Sequence, residues 1–149
     1  MRRPVHCLVI GVLTDARVLV ADDDPEWLEV VVRALTRLGA NVALANNGAE
    51  LIDHLAADGP FDLVVTDISM PWMTGVRAMH AARTTGLGTP VIVMTALRDP
   101  GIPARVSALG HNAALLHKPF GLADLESLAS RLLAHRGRQP AGPTSGSAA

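Results

Sequence analysis

The sequence has no tyrosine, few other aromatic residues and a single cysteine, Cys7. One cysteine excludes an internal disulfide framework and a zinc site made of several thiolates, and it fits a reducing compartment. Acidic and basic residues nearly cancel, with a formal net charge of −1, so a nucleic-acid surface is not indicated. No apolar run approaches the ~20 residues of a membrane-spanning helix. We therefore expect a soluble cytoplasmic protein that binds neither nucleic acid nor membrane directly.

The two ends of the chain differ in composition from its middle. Residues 1–15 combine two arginines with an apolar run, but no clear small-residue cleavage site follows that run. We interpret them as an N-terminal extension, either an added strand or a mobile arm, rather than a signal peptide. Residues 137–149 are rich in Gly, Pro, Ser and Ala, which predicts a disordered tail. One domain is expected between them, over residues 16–136.

Short β-branched runs alternate with helical patterns through this domain. The runs predict five strands, over residues 17–21, 41–45, 62–66, 90–95 and 113–117. Several of them lack the polar alternation of a half-exposed strand, as expected when helices cover both faces of a parallel sheet. The predicted fold class is therefore α/β, a doubly wound five-stranded parallel sheet.

Capping residues indicate where the first two helices begin. Asp24 is a good N-cap, and Pro25 suits the first helical position. Asn47 and Glu50 have the spacing of a capping box at the second helix.

The later helices are marked by breakers and by an apolar stripe. Because residues 98–103 include two prolines and a glycine, the fourth helix is expected to begin near Pro103 and to end at Leu109, before Gly110. The last helix is expected to bury a stripe of leucines. These are Leu122, Leu125, Leu128 and Leu132.

Polar residues end or directly follow four of the predicted strands. In an open parallel sheet, functional groups gather at the carboxyl ends of the strands. The first strand is followed by three aspartates, residues 22–24, and the third by Asp67. The fourth ends in Thr95, and the fifth is followed by Lys118. We expect these carboxylates, the hydroxyl and the ammonium to converge at one edge of the sheet.

Clustered carboxylates repel one another unless a cation balances them. Oxygen ligands suit a hard ion such as Mg²⁺, or Mn²⁺ in its place. Asp22 and Asp23 are the expected holders of this ion, and Asp67 completes the cluster. Asp24 is better used in capping the first helix.

Asp67 is also the expected nucleophile. A carboxylate that attacks a phosphoryl group makes an acyl phosphate, and this transfer needs positioning and charge neutralisation more than acid or base catalysis. Lys118 is expected to pair with one phosphoryl oxygen, and Thr95 to donate a hydrogen bond to another.

The segments that carry these residues resemble the receiver domains of two-component response regulators. The resemblance covers residues 17–135. Its motifs are Val-Leu-Val-Ala-Asp-Asp-Asp-Pro at 18–25, Asp-Leu-Val-Val-Thr-Asp-Ile-Ser-Met-Pro-Trp-Met-Thr-Gly at 62–75, Pro-Val-Ile-Val-Met-Thr-Ala at 90–96 and Lys-Pro-Phe at 118–120. The resemblance implies the strand order 2-1-3-4-5, with helices on both faces of the sheet.

The resemblance also implies roles for single residues. Asp22 and Asp23 would form the acidic pocket, Asp67 would receive the phosphoryl group, and the backbone carbonyl of Ser69 would add a metal ligand. The bond between Lys118 and Pro119 would be cis. The implied phosphodonor is a sensor histidine kinase or a histidine phosphotransfer protein, and the output is a changed contact with an unknown protein. The domain would not be an enzyme, although it would catalyse its own phosphorylation and dephosphorylation. A homodimer is compatible with the sequence, but nothing in it indicates one.

Two other functions stay open. A receiver-like module that binds partners without phosphorylation is suggested by Leu115, which stands three residues before the lysine, where the family usually has an aromatic residue. A phosphohydrolase with an aspartyl-phosphate intermediate is the third reading. Such an enzyme would be expected to have a second aspartate two residues after Asp67. Ser69 occupies that position, which weakens this hypothesis.

Overall fold

A computed structural model of the protein describes residues 13–70 and 73–136, with only the backbone for residues 135 and 136. The expected tail and most of the expected N-terminal extension lie outside the described residues. The strands are β1 (Arg17–Ala21), β2 (Asn41–Ala45), β3 (Leu63–Asp67), β4 (Val91–Thr95) and β5 (Ala113–His117). The helices are α1 (Pro25–Arg37), α2 (Gly48–Ala57), α3 (Gly75–Thr84), α4 (Ile102–Ser107) and α5 (Leu122–Arg136).

The five strands form one parallel sheet in the order β2-β1-β3-β4-β5. This confirms the predicted fold class and the strand order implied by the resemblance. All five residues of β3 and of β4 are buried, which is why their sequences are continuous apolar runs rather than alternating ones.

Two strands differ from the prediction: β3 is shifted by one residue at both ends, and β4 begins one residue later. Asp62 does not begin β3, because its carboxylate accepts a hydrogen bond from the backbone N–H of Arg17 at 2.8 Å and so caps the amino end of the neighbouring strand β1. Pro90 precedes β4 because proline has no N–H to donate; its carbonyl accepts from the N–H of Val64.

The sheet separates two apolar layers. Successive side chains of a strand point to opposite faces, so Leu19 packs with α2, α3 and α4 while Val20 packs with α1 and α5. Leu13, which precedes β1, is buried in the layer of α1 and α5. In the described part of the chain, no helix has the length and apolar composition needed to cross a membrane.

The predicted helix starts are confirmed with one difference. Asp24 is the N-cap of α1, where its carboxylate accepts from two backbone N–H groups, and Pro25 is the first helical residue. At α2, Asn47 accepts from the N–H of Glu50 at 2.9 Å. The Glu50 carboxylate, however, accepts from the N–H of Asn46 rather than from that of the cap residue, so only one half of the capping box forms.

Two expectations for the later helices were wrong in detail. α4 begins at Ile102, near Pro103 as expected, but it ends at Ser107, two residues before the expected Leu109. Leu109 lies beyond the helix in a tight turn, although its side chain is buried. On α5, Leu122 is not part of the buried stripe: it is the first residue of the helix and stays exposed beside Val30 of α1.

Candidate functional site

The carboxyl ends of four neighbouring strands form the candidate site. Asp22 and Asp23 follow β1, Asp67 is the last residue of β3, and Thr95 is the last residue of β4. Lys118 follows β5, and its backbone N–H donates to the carbonyl of Thr95 at 2.7 Å. The parallel sheet therefore brings all of the predicted side-chain positions to one rim.

The three aspartates form a compact acidic cluster. One carboxylate oxygen from each of Asp22, Asp23 and Asp67 lies within 4.8 Å of the other two. Asp22 and Asp67 are buried, whereas Asp23 is exposed. This donor set consists of carboxylate oxygens at metal-binding spacing, so the residues present fit a hard divalent cation.

Lys118 is shared between two of these aspartates. Its Nζ donates to Oδ2 of Asp22 at 2.7 Å and lies 3.6 Å from Oδ2 of Asp67. The other oxygen of Asp22, Oδ1, accepts from the backbone N–H of Asp24 at 3.0 Å. Both oxygens of Asp22 are thus engaged, and its carboxylate is fixed at the base of the cluster.

The carboxyl group of Asp67 is only partly compensated by the positive charge of Lys118. Its pKa is raised from the ordinary 3.8 to about 6, chiefly by burial and next by the negative charge of Asp22. The ammonium of Lys118 and a hydrogen bond from the backbone N–H of Ser69 act in the opposite direction, and Asp23 raises the pKa slightly further. One ammonium does not balance three carboxylates, so an added cation or proton is favoured here.

Thr95 is fully buried at the end of β4. Its Oγ1 accepts from the backbone N–H of Leu97 at 2.9 Å, which leaves the hydroxyl proton available for donation. Its neighbour Met94 is the β4 residue paired with Asp67. The expected hydrogen bond from Thr95 to a phosphoryl group stays a prediction, as does the expected metal contact of the Ser69 carbonyl.

Comparison with known proteins agrees with this geometry. The family model described as "Response regulator receiver domain" matches residues 18–130. The chain belongs to the response-regulator receiver family. The match lies inside the expected receiver domain, residues 16–136, whose exact bounds stay a prediction.

Curated relatives include the response regulators MprA of Mycobacterium avium (strain 104) and of Mycobacterium tuberculosis (strain ATCC 25618 / H37Rv). Each is 40% identical over 110 residues, which is 73% of this chain and 47% and 46% of the respective relatives. The chain therefore spans about half the length of the curated relatives that it matches.

Solved structures show the same receiver fold. The chemotaxis response regulator CheY4 of Vibrio cholerae is 30% identical with a TM-score of 0.72, and the match covers 80% of this chain and 100% of that one. A CheY-like receiver domain protein of Methanospirillum hungatei JF-1 has a TM-score of 0.79 at 23% identity, covering 85% of this chain and 100% of that one. At that identity the likeness supports the fold alone.

Gly75 allows two backbone segments to approach closely at the rim of the receiver domain, a role that was not predicted from the sequence. Its N–H donates to the carbonyl of Ile68 at 3.3 Å, so the first residue of α3 lies against the end of β3. A Cβ at this position would collide with the backbone carbonyl of Asp67 and with the hydroxyl of Thr66. Only glycine allows this close approach behind the predicted phosphoacceptor.

Leu115 lies in the regular part of β5, paired with Val93 of β4. It is half-buried and packs in the apolar layer of α2, α3 and α4. The position that the family usually gives to an aromatic residue therefore carries a packed aliphatic side chain in this receiver domain.

An aromatic side chain borders Lys118, and a second ring packs against the first. The lysine Nζ lies over the ring of Trp27, 5.3 Å from the ring centroid. The ring of Phe120 meets the Trp27 ring edge-on, at 5.0 Å between centroids and 82° between planes. From the sequence, Trp27 was expected only to pack, since nothing in a helical pattern shows which lysine a ring will meet. The Lys118–Pro119 bond is cis, as the family resemblance implied.

Proposed function

We propose that this receiver domain is a phosphoacceptor that takes a phosphoryl group on Asp67 and thereby changes a protein contact. The observation that carries the proposal is the arrangement of Asp67 beside Asp22, Asp23 and the Lys118 ammonium at one rim. A cluster with one nucleophilic carboxylate, two further acids and a lysine suits an incoming phosphate that is accompanied by a metal ion.

The proposed donor is a sensor histidine kinase or a histidine phosphotransfer protein in the cytoplasm. A carboxylate oxygen of Asp67 forms a bond to phosphorus while the bond from phosphorus to the donor imidazole nitrogen breaks. The electron pair of the broken bond stays on that nitrogen. Dephosphorylation is the attack of water on the same phosphorus, which releases inorganic phosphate and restores the carboxylate. The domain is consumed and regenerated in this cycle, so we propose an acceptor rather than an enzyme.

The residues of the rim have separate tasks in this proposal. Lys118 places positive charge against one phosphoryl oxygen, and Thr95 donates its hydroxyl proton to another. The carboxylates of Asp22, Asp23 and Asp67, with the Ser69 carbonyl, would hold Mg²⁺ or Mn²⁺. When bound, that ion supplies positive charge against the phosphoryl oxygens.

The test is phosphorylation by a small donor. The protein is incubated with Mg²⁺ and acetyl phosphate, and intact mass is measured for one added phosphoryl group. We expect the addition in the wild type and in Asp53→Asn, an exposed aspartate on α2, and no addition in Asp67→Asn. Phosphotransfer from a panel of histidine kinases would then identify the physiological donor.

Packing at Leu115 favours a second candidate, a receiver-like module that binds its partner without phosphorylation. The Leu115 side chain is already packed among apolar neighbours. Because it is aliphatic, it also has no hydroxyl that could link Thr95 to the surface. Absence of phosphorylation in the wild type, with the fold intact, would favour this second candidate over the first.

A further inference from the structure

We propose that Trp27 is a positioning residue for phosphoryl transfer, whose indole face holds the Lys118 ammonium against the acidic cluster. This inference rests on the proposed function of Asp67, because it concerns the lysine that would meet the phosphoryl group. Trp27 itself would touch neither the phosphoryl group nor the metal ion.

The contact has the geometry of a cation–π interaction. Nζ of Lys118 lies over the ring at 5.3 Å from its centroid, inside the range of about 6 Å in which the ring quadrupole attracts a cation. The Lys118 side chain is only 14% exposed, so water screens this attraction weakly. The ring is therefore a third partner of the ammonium, beside Asp22 and Asp67.

The ring is held on both sides by the segments that build the site. Trp27 lies in the first turn of α1, where its backbone N–H donates to the Asp24 cap. Phe120, two residues after the lysine, meets the indole edge-on. The same short segments that supply Asp22, Asp23 and Lys118 thus fix the ring against the lysine.

Hydrogen bonding does not explain why an indole occupies this position. Its Nε1 is buried and has no acceptor among the residues that the structure describes. A buried donor without a partner costs free energy that an apolar side chain such as leucine would avoid. Beyond its apolar packing against the layer of α1 and α5, the feature that the indole adds at this site is its ring face, which leucine lacks.

The ring restrains Lys118 without adding another negative charge. Asp22 holds the ammonium 2.7 Å away, while Asp67 lies at 3.6 Å. During transfer, the ammonium must move to the phosphoryl oxygens that arrive on Asp67. A ring attracts the cation from one side with little directionality, so it permits this small movement while keeping the lysine out of solvent.

Lysine-selective labelling tests the contact without any phosphorylation. Lys118 is the only lysine in the chain, so protein labelled with ¹³C,¹⁵N-lysine gives one set of side-chain NMR signals. We expect the Lys118 methylene protons to be shifted upfield by the ring current, and to return to ordinary positions in Trp27→Leu. Signals at ordinary positions in the wild type would overturn the contact, whatever the outcome for Asp67.

Phosphorylation rates test the positioning role. With Mg²⁺ and acetyl phosphate, Trp27→Leu should slow modification of Asp67 by about 5- to 30-fold, the loss expected for a cation–π contact of this kind. Trp27→Phe keeps a ring and should recover most of the rate. In a Lys118→Met background, assayed with Mg²⁺ at a temperature where the melting curve shows it folded, Trp27→Leu should have no further effect, because the two residues act as one unit. A loss of equal size in that background, or no rescue by Phe, would overturn the proposal.

A matched substitution controls for general effects of removing a ring. Phe61 also lies beneath a cation, with the guanidinium carbon of Arg17 4.8 Å from its centroid, but it precedes β3 and so lies at the other end of the sheet. Phe61→Leu should leave the phosphorylation rate unchanged at a temperature where the melting curve shows both variants folded. If wild type carries phosphate and all variants react alike, the positioning role is wrong while the phosphoacceptor function stands.

Discussion

Lys118 and Asp22 form a 2.7 Å ion pair whose acidic side chain is 0% exposed and whose basic side chain is 14% exposed. Such a pair contributes little net stability while intact, because desolvation offsets the attraction. Its loss is costly, since the remaining charge stays buried without its partner. The stability of the fold therefore depends on Lys118 staying paired with Asp22.

Replacement of the lysine should therefore destabilise the fold. We expect Lys118→Met to lower the free energy of unfolding by about 3–5 kcal/mol in metal-free buffer, because it leaves the Asp22 carboxylate buried and unpaired. The double variant Lys118→Met/Asp22→Asn should recover most of this loss. Urea unfolding at neutral pH measures both.

The surface pair of Arg33 and Glu29 is the control. It has a similar distance, 2.9 Å, but its side chains are 74% and 70% exposed. Arg33→Met should change the free energy of unfolding by no more than about 1 kcal/mol. Equal effects of Arg33→Met and Lys118→Met would contradict the importance of burial.

Magnesium should stabilise the protein through the acidic cluster. An ion that binds only the folded state raises the free energy of unfolding, by about 2.7 kcal/mol at one hundred times its dissociation constant. We expect Mg²⁺ to raise the melting temperature of the wild type, and Asp22→Ala or Asp23→Ala to weaken this response. Differential scanning calorimetry with and without Mg²⁺ measures the difference.

A suitable control is Glu29→Ala, which removes an exposed acid from α1 away from the cluster. It should keep the full response to Mg²⁺. An unchanged response in both aspartate variants would show that the ion binds elsewhere.

The fold of this domain was largely readable from the sequence, since apolar runs and cap residues specify local structure directly. The bounds of β1, β2 and β5 were predicted without error, and the shift of β3 by one residue arises from Asp62, whose side chain bonds to the backbone of the neighbouring strand. Local patterns do not contain that contact. The wrong placement of Leu122 has a similar origin, because helical periodicity does not show where a helix extends beyond its neighbours.

The candidate site was predictable as a set of positions but not as a network. Parallel topology is enough to bring Asp22, Asp67 and Lys118 to one rim. The sequence did not show that Lys118 bonds to Asp22 in preference to Asp67, or that its ammonium lies over Trp27. These contacts depend on side-chain rotamers and burial, which only the packed structure determines.

The raised pKa of Asp67 predicts a pH dependence of stability. Because its folded-state pKa of about 6 exceeds the ordinary 3.8, the folded state favours the protonated carboxyl. The ionised group destabilises the fold fully at pH above 6, and this penalty fades as pH falls towards 3.8. The difference in pKa corresponds to at most about 3 kcal/mol.

We therefore expect Asp67→Asn to raise the free energy of unfolding at pH 7.5 in the presence of a chelator, and to have little effect near pH 4. Addition of Mg²⁺ at pH 7.5 should reduce the advantage of the variant, because it balances the wild-type charge. Denaturant unfolding at the two pH values measures this. A variant that is equally stabilised at both would contradict the raised pKa.

The close approach at Gly75 predicts a strong effect from the smallest substitution. In Gly75→Ala the new methyl group would meet the backbone carbonyl of Asp67, which cannot move without displacing β3. We expect a loss of about 1–3 kcal/mol in the free energy of unfolding, with slower phosphorylation of Asp67 because the strand end shifts. Gly88→Ala is the matched control, since a Cβ there has no heavy atom within 4 Å, and it should be neutral or slightly stabilising. Thermal unfolding and the acetyl phosphate assay on both variants measure these effects. Equal losses in Gly75→Ala and Gly88→Ala would contradict a specific role of the close approach at Gly75.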